Sequence, residues 1–218
     1  GLKPVFVDLD NDFSIDLKQL KNSINDQTLA ILPVDVYGLP NKLDEIRNLI
    51  GQRDIKLICD KSHSFGVKIG SISSMSEGDF AFASMHATKV MSSVEGGLIF
   101  SSSKDFISNF ENYCNFGFKN NDAFSFGTNA KIDELRCLFG RLVLASFNER
   151  RDNRKKIYNK YKEFGLTKYI PKSLRLFEKN NLWNYSYLPI LIPYKMRESI
   201  YQELVSKGIE TKKYTEEN

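Results

Sequence analysis

Short apolar runs alternate with helical stripes through the first hundred residues, and this alternation constrains the fold more than any other feature. Strand candidates are residues 4–9, 29–34, 55–60, 80–85 and 97–101. Between the first of them, Leu17, Leu20 and Ile24 recur at helical spacing. Leu43, Ile46, Leu49 and Ile50 make the clearest such stripe. The pattern predicts an α/β fold, a mostly parallel sheet wrapped by helices. Two long helices follow, 132–145 and 148–164, the second leading away from the sheet. The tail reads as a strand over 185–192, Pro193 as a breaker, and a helix over 196–206. A domain boundary, if present, falls near 147–154. At 218 residues and 41% hydrophobic content the chain can bury a substantial core.

Chemistry concentrates in the loops that leave these strands. Phe82-Ala83-Ser84-Met85-His86-Ala87-Thr88-Lys89, closed by Glu95-Gly96-Gly97, puts Lys89 on a polar connection between two apolar runs. Functional groups gather on loops held by rigid strands. A lysine there, five residues after Ser84, can carry a carbonyl cofactor on its amine with the cofactor's phosphate held nearby. An ordinary solvated lysine fits the loop as well. Upstream, residues 55–59 lead into Asp60-Lys61-Ser62-His63-Ser64-Phe65-Gly66. An acid at the carboxyl end of a buried strand lies where open α/β sheets place ligand crevices. Asp60 can pair with a protonated ring nitrogen, and His63 can reach a neighbouring ring hydroxyl. Taken singly, Asp60 also fits a turn or cap, and His63 a satisfied, partly buried histidine.

Together these clusters resemble the DegT/StrS family of sugar aminotransferases. The likeness rests on Asp60-x-x-His63-x-x-Gly66, Ser84-x-His86-Ala87-Thr88-Lys89 and Glu95-Gly96-Gly97. It extends to Pro4-Val5-Phe6-Val7-Asp8, Leu32-Pro33-Val34-Asp35-Val36-Tyr37-Gly38, Asn115-Phe116-Gly117 and Gly127-Thr128-Asn129-Ala130-Lys131-x-x-Glu134. The resemblance implies the fold type I architecture of pyridoxal 5′-phosphate (PLP) transferases. Residues 1–148 would be a partial large PLP-binding domain, and 149–218 a connecting helix with part of a small α+β domain. It implies that Lys89 is the Schiff-base lysine and proton carrier, and that Asp60 keeps the pyridinium nitrogen protonated. His63 would lie near the ring hydroxyl, and Ser84 would bind the phosphate. Asn129 would reach the phosphate of a neighbouring subunit, which implies an isologous homodimer. Asn129 fits equally as the cap of a helix over 131–142.

The implied reaction is transfer of an amino group from a donor such as glutamate to a nucleotide-linked keto sugar. Ser-x-His-Ala-Thr-Lys with Asn-Phe-Gly and Asn-x-Lys is similar to the branch acting on 4-keto-6-deoxy sugars. Lys89 separates the chain from sugar dehydratase relatives, in which histidine replaces this lysine. The alternative is a non-catalytic fragment or ligand-binding module that keeps the fold. Asp35 stands where many members have histidine, and Lys61 where alanine is usual. No Ser-Gly-Thr phosphate-binding turn and no ring-stacking aromatic precede the first motif, and the small domain stops at Thr215-Glu216-Glu217-Asn218. These departures lead us to expect a piece truncated at both ends.

Other features are less specific. Asp8-Leu9-Asp10-Asn11-Asp12 alternates acids like a calcium loop, yet Phe13 and Gln19 occupy the positions that need glycine and glutamate. Cys59, Asp60 and His63 are metal-ligand types without a second cluster to complete a site. The formal charge of +4 favours phosphorylated ligands over nucleic acid. The run Arg150-Arg151-Asp152-Asn153-Arg154-Lys155-Lys156 reads as a solvated helix face. Cys59, Cys114 and Cys137 show no framework spacing and suggest a reducing compartment. With no signal peptide and no long apolar span, a soluble cytoplasmic protein is expected.

Overall fold

Leu57 and Cys59, alternate residues of one strand, are fully buried, and their flank is covered by the apolar side of the helix that precedes them. A computed structural model describes residues 1–119 and 122–214. Helix α1 (Leu17–Ser23) starts at Asp16, whose Oδ1 accepts from the backbone N–H groups of Lys18 and Gln19. Strand β1 (Ala30–Ile31) leads to α2 (Leu43–Ile50), which buries Leu43, Ile46 and Ile50. Then come β2 (Lys56–Asp60), a small hairpin of β3 (Lys68–Ile69) and β4 (Ile72–Ser73), β5 (Phe80–Ser84) and β6 (Gly97–Phe100). The main sheet has the order β1-β2-β5-β6. Its first three strands run parallel, and β6 returns antiparallel to β5. The Lys89 loop is therefore a reversal between paired neighbours, not a crossover.

Helix α3 (Lys104–Cys114) is followed by a second hairpin, β7 (Phe118–Lys119) with β8 (Asp122–Ala123). The remaining helices are α4 (Glu134–Ala145), α5 (Phe147–Glu163), α6 (Lys172–Asn180) and α7 (Tyr194–Ser206). A second core joins Leu39 and Val67 to Tyr158 of α5, Ile170, Leu174 of α6 and Trp183. It packs the tail of the chain onto the loops that leave the sheet.

Several sequence expectations need correction. Residues 4–9 form no strand: only Leu9 is bridged, to Ile15, and Phe6 is 92% exposed. The strand expected over 29–34 shrinks to Ala30–Ile31 plus a bridge from Val34 to Asp60. Helix α4 is capped by Asp133, which accepts from the Arg136 N–H, so Asn129 is not its cap. Asn129 instead bridges Asn115. Residues 185–192 join no ladder; the only nearby bridge among the described residues pairs Leu182 with Lys68. The acids near Asp10 close a local turn, with Lys42 Nζ 2.6 Å from Asp12 Oδ2. Thr215 to Asn218, where the sequence suggests a truncated end, lie outside the described residues.

Candidate active site

Parallel pairing puts the carboxyl ends of β2 and β5 side by side, with Asp60 in register with Phe82 and Ser84 two residues beyond. Ser62 ties the two ends together. Its N–H donates to Asp60 Oδ1 at 2.9 Å, and its Oγ accepts from the Ser84 N–H at 3.1 Å. Ser84 Oγ in turn accepts from the His86 N–H at 3.2 Å. The turn that follows brings Lys89 N–H to His86 O at 2.9 Å and leaves Lys89 half-buried. Met85 N–H donates to Gly96 O, closing the loop. Gly96 has φ +148°, and a Cβ there would lie 2.9 Å from Ser93 Oγ, so the loop needs glycine. Across the loop, His86 Nε2 lies 3.5 Å from Glu95 Oε1.

His63 sits on the turn after β2, and the distant tail clamps it. Asn184 Nδ2 donates to His63 O at 2.8 Å and to Phe65 O at 2.9 Å, and Ser186 Oγ donates to His63 O at 3.3 Å. Trp183 Nε1 donates to Tyr37 O at 3.1 Å, holding the neighbouring loop. Gly38 allows this close approach: at φ +79°, a Cβ there would stand 2.7 Å from His63 O. Burial pushes the His63 imidazole below the ordinary histidine value, and the Lys89 charge acts the same way, against Asp60 and Asp35.

Behind this turn lies a buried ion cluster. Lys61 Nζ is 2.9 Å from Asp35 Oδ2 and 2.9 Å from Glu77 Oε2, with its side chain fully buried. Asp35 also accepts from Ser64 Oγ at 2.7 Å and from the Asn41 amide at 3.2 Å. Burial alone would pull the Lys61 ammonium down, but the two carboxylates outweigh it and hold it above the ordinary lysine value. Asp35 and Lys61, two separate oddities in the sequence, are partners. Because Lys61 lies between Asp60 and Ser62, the cluster anchors the backbone that carries Asp60 and His63.

Sequence reasoning missed Ser62, Tyr187, Asn184 and Ser186. Ser62 looks like a spacer, and the others lie more than a hundred positions from the turn they hold. Asn129 is exposed, and its bridge to Asn115 ties it to the end of α3, not to the Asp60–Lys89 cluster. Burial pushes the Cys59 thiol up to about 12, so it is a packing group here. No group of three potential metal ligands occurs among the described residues.

The mostly parallel sheet flanked by helices, with Asp60 and Ser84 closing adjacent strands and His63 and Lys89 on the loops after them, has the α/β fold of the PLP-dependent aminotransferases that its structural neighbours share. A solved structure of DesI in the presence of its TDP-sugar product superposes with a TM-score of 0.86 at 26% identity, covering 96% of this chain and 55% of that one. The chain belongs to the DegT/DnrJ/EryC1/StrS aminotransferase family, whose profile matches residues 1–217. It is 33% identical over 224 residues to a dTDP-4-amino-4,6-dideoxy-D-glucose transaminase of Shigella dysenteriae, covering 98% of this chain. A UDP-4-amino-4,6-dideoxy-N-acetyl-beta-L-altrosamine transaminase of Campylobacter jejuni is 28% identical over 96% of this chain and 58% of its own length. The chain spans 59% of the length of the Shigella relative.

Proposed function

We propose that the protein is a PLP-dependent aminotransferase that aminates a nucleotide-linked 4-keto-6-deoxy sugar, with an amino acid such as glutamate as donor. The observation that carries this reading is the gathering of Asp60 and Ser84 at the carboxyl ends of adjacent parallel strands, with His63 and the half-buried Lys89 on the loops that leave those strands. The pocket's own chemistry suits the cofactor. His63 Nδ1 is buried with no hydrogen-bond partner among the described residues, the condition expected of a group that meets a ligand atom. When bound, PLP supplies an electron sink for the charge left when a substrate α-carbon loses its proton.

Each side chain then has a task. Lys89 would hold the cofactor covalently through its amine, then take the α-proton and return it on the far side of the transfer. Asp60 would pair with the ring nitrogen and keep it protonated, since an adjacent carboxylate favours the charged form. His63 would meet the ring hydroxyl. Ser84 Oγ would bind phosphate. Residues 1–148 would form the cofactor-binding part, with 149–218 a connecting helix and part of a smaller domain. A homodimer is part of the proposal, with Asn129 serving the partner subunit's phosphate. An apolar stripe on α4 supports it: Leu135, Leu138 and Leu142 are 81%, 54% and 63% exposed. No helix among the described residues is long and apolar enough to cross a membrane, and we place the work in the cytoplasm.

The test is turnover. Given PLP, glutamate and a nucleotide-linked 4-keto-6-deoxy sugar, the protein should yield amino sugar and 2-oxoglutarate in equal amounts, and Lys89→Ala should yield neither. Equal turnover by Lys89→Ala would contradict the proposal.

A further inference from the structure

The fold treats the two ring nitrogens of His63 differently. Nε2 lies 3.1 Å from the Tyr187 hydroxyl, which comes from a segment 124 positions away. Nδ1 is buried and has no partner among the described residues. The two rings also pack against each other at a tilt, with centroids 4.6 Å apart and planes at 45°. Tyr187 is itself braced by Tyr37, whose ring meets it edge-on with centroids 5.8 Å apart, and by Ser186 and Asn184, which grip the His63 carbonyl.

We propose that Tyr187 is a positioning residue for His63: its hydroxyl donates to Nε2, which fixes the ring's single proton on Nδ1 and makes Nδ1–H a donor aimed at a ligand oxyanion. Counting hydrogens decides the direction of the bond. If Tyr187 donates, one buried group lacks a partner, the Nδ1–H donor. If His63 donates through Nε2 instead, the Nδ1 lone pair and the tyrosine hydrogen both lack protein partners. A phenol is also a better donor than acceptor, and a neutral imidazole nitrogen is a strong acceptor. Burial and the Lys89 charge favour the neutral ring that the arrangement requires. The acceptor for Nδ1–H would be an ionised ring hydroxyl, a choice that rests on the PLP reading above. The tautomer itself does not rest on it.

The experiment is long-range nitrogen–proton NMR on the isotopically labelled chain without cofactor. The chain has 2 histidines, and His63→Asn identifies the His63 set by removing it. The wild type should show a protonated, pyrrole-type Nδ1 and a pyridine-type Nε2. Tyr187→Phe should shift the ratio toward the Nε2–H form that free imidazole side chains favour in water. A wild-type ring protonated mainly on Nε2 overturns the proposal, as does an unchanged ratio in Tyr187→Phe. If that variant fails to fold, the wild-type spectrum decides alone. The measurement needs no PLP, so it can fail while the cofactor reading survives, and the reverse.

Discussion

No part of the Lys61 side chain reaches solvent, and among the described residues its ammonium is compensated by Asp35 and Glu77 at 2.9 Å each. Breaking a buried pair costs more than forming it gains, because the remaining charges stay desolvated. Lys61→Met should therefore lower stability by about 3–5 kcal/mol in chemical denaturation. A loss below about 1 kcal/mol, the scale of a surface pair, would contradict the buried reading. His63 gives a second prediction. Its folded value lies below the ordinary 6.5, so the unfolded chain binds its proton first as pH falls. The stability difference between wild type and His63→Asn should thus be largest above pH 6.5 and shrink on acidification. A difference that is flat or grows toward acid would refute it. Asp60 and Ser84 stand out in the sequence because each closes a strand, and Lys89 because it follows on the polar loop five residues later, all within short motifs. Tyr187 does not, since the only signal for it is a contact across 124 positions.

Element by element, local pattern served well where burial and pairing coincide. Helix α2 and strands β2 and β5 fall where the periodicity of Ile46, Leu57 and Ala81 puts them, because these residues share one core. Residues 4–9 and 185–192 have equally strand-like composition but no ladder. β-propensity reports a side chain suited to a half-buried surface, not the presence of a neighbouring strand. In 185–192, Ser186 and Tyr187 instead hold His63, and the Tyr187 ring packs on Tyr37. That clamp depends on Gly38, so Gly38→Ala should cost about 1–3 kcal/mol through its positive φ and the clash with His63 O. Denaturant midpoints would check this, and an unchanged midpoint would show that the loop can relax.

At the scale of the whole molecule, apolar surface remains uncovered. Besides the α4 stripe, Phe126 is 96% exposed beside the β7–β8 hairpin. Sedimentation should show self-association of the wild type, and Leu135→Lys with Leu142→Glu should shift it to monomer while circular dichroism stays the same. Association unaffected by both changes would move the interface elsewhere. A largely parallel sheet was readable from alternating elements, whereas the second core was not, because Leu39, Val67, Tyr158 and Trp183 meet only in the folded chain. The placement of Lys89 at the centre of the site is tested most directly by borohydride reduction after PLP is added, followed by peptide mapping. A phosphopyridoxyl group on Lys89, absent from Lys89→Ala, is the expected result. An unlabelled Lys89, or label carried by another lysine, would contradict it.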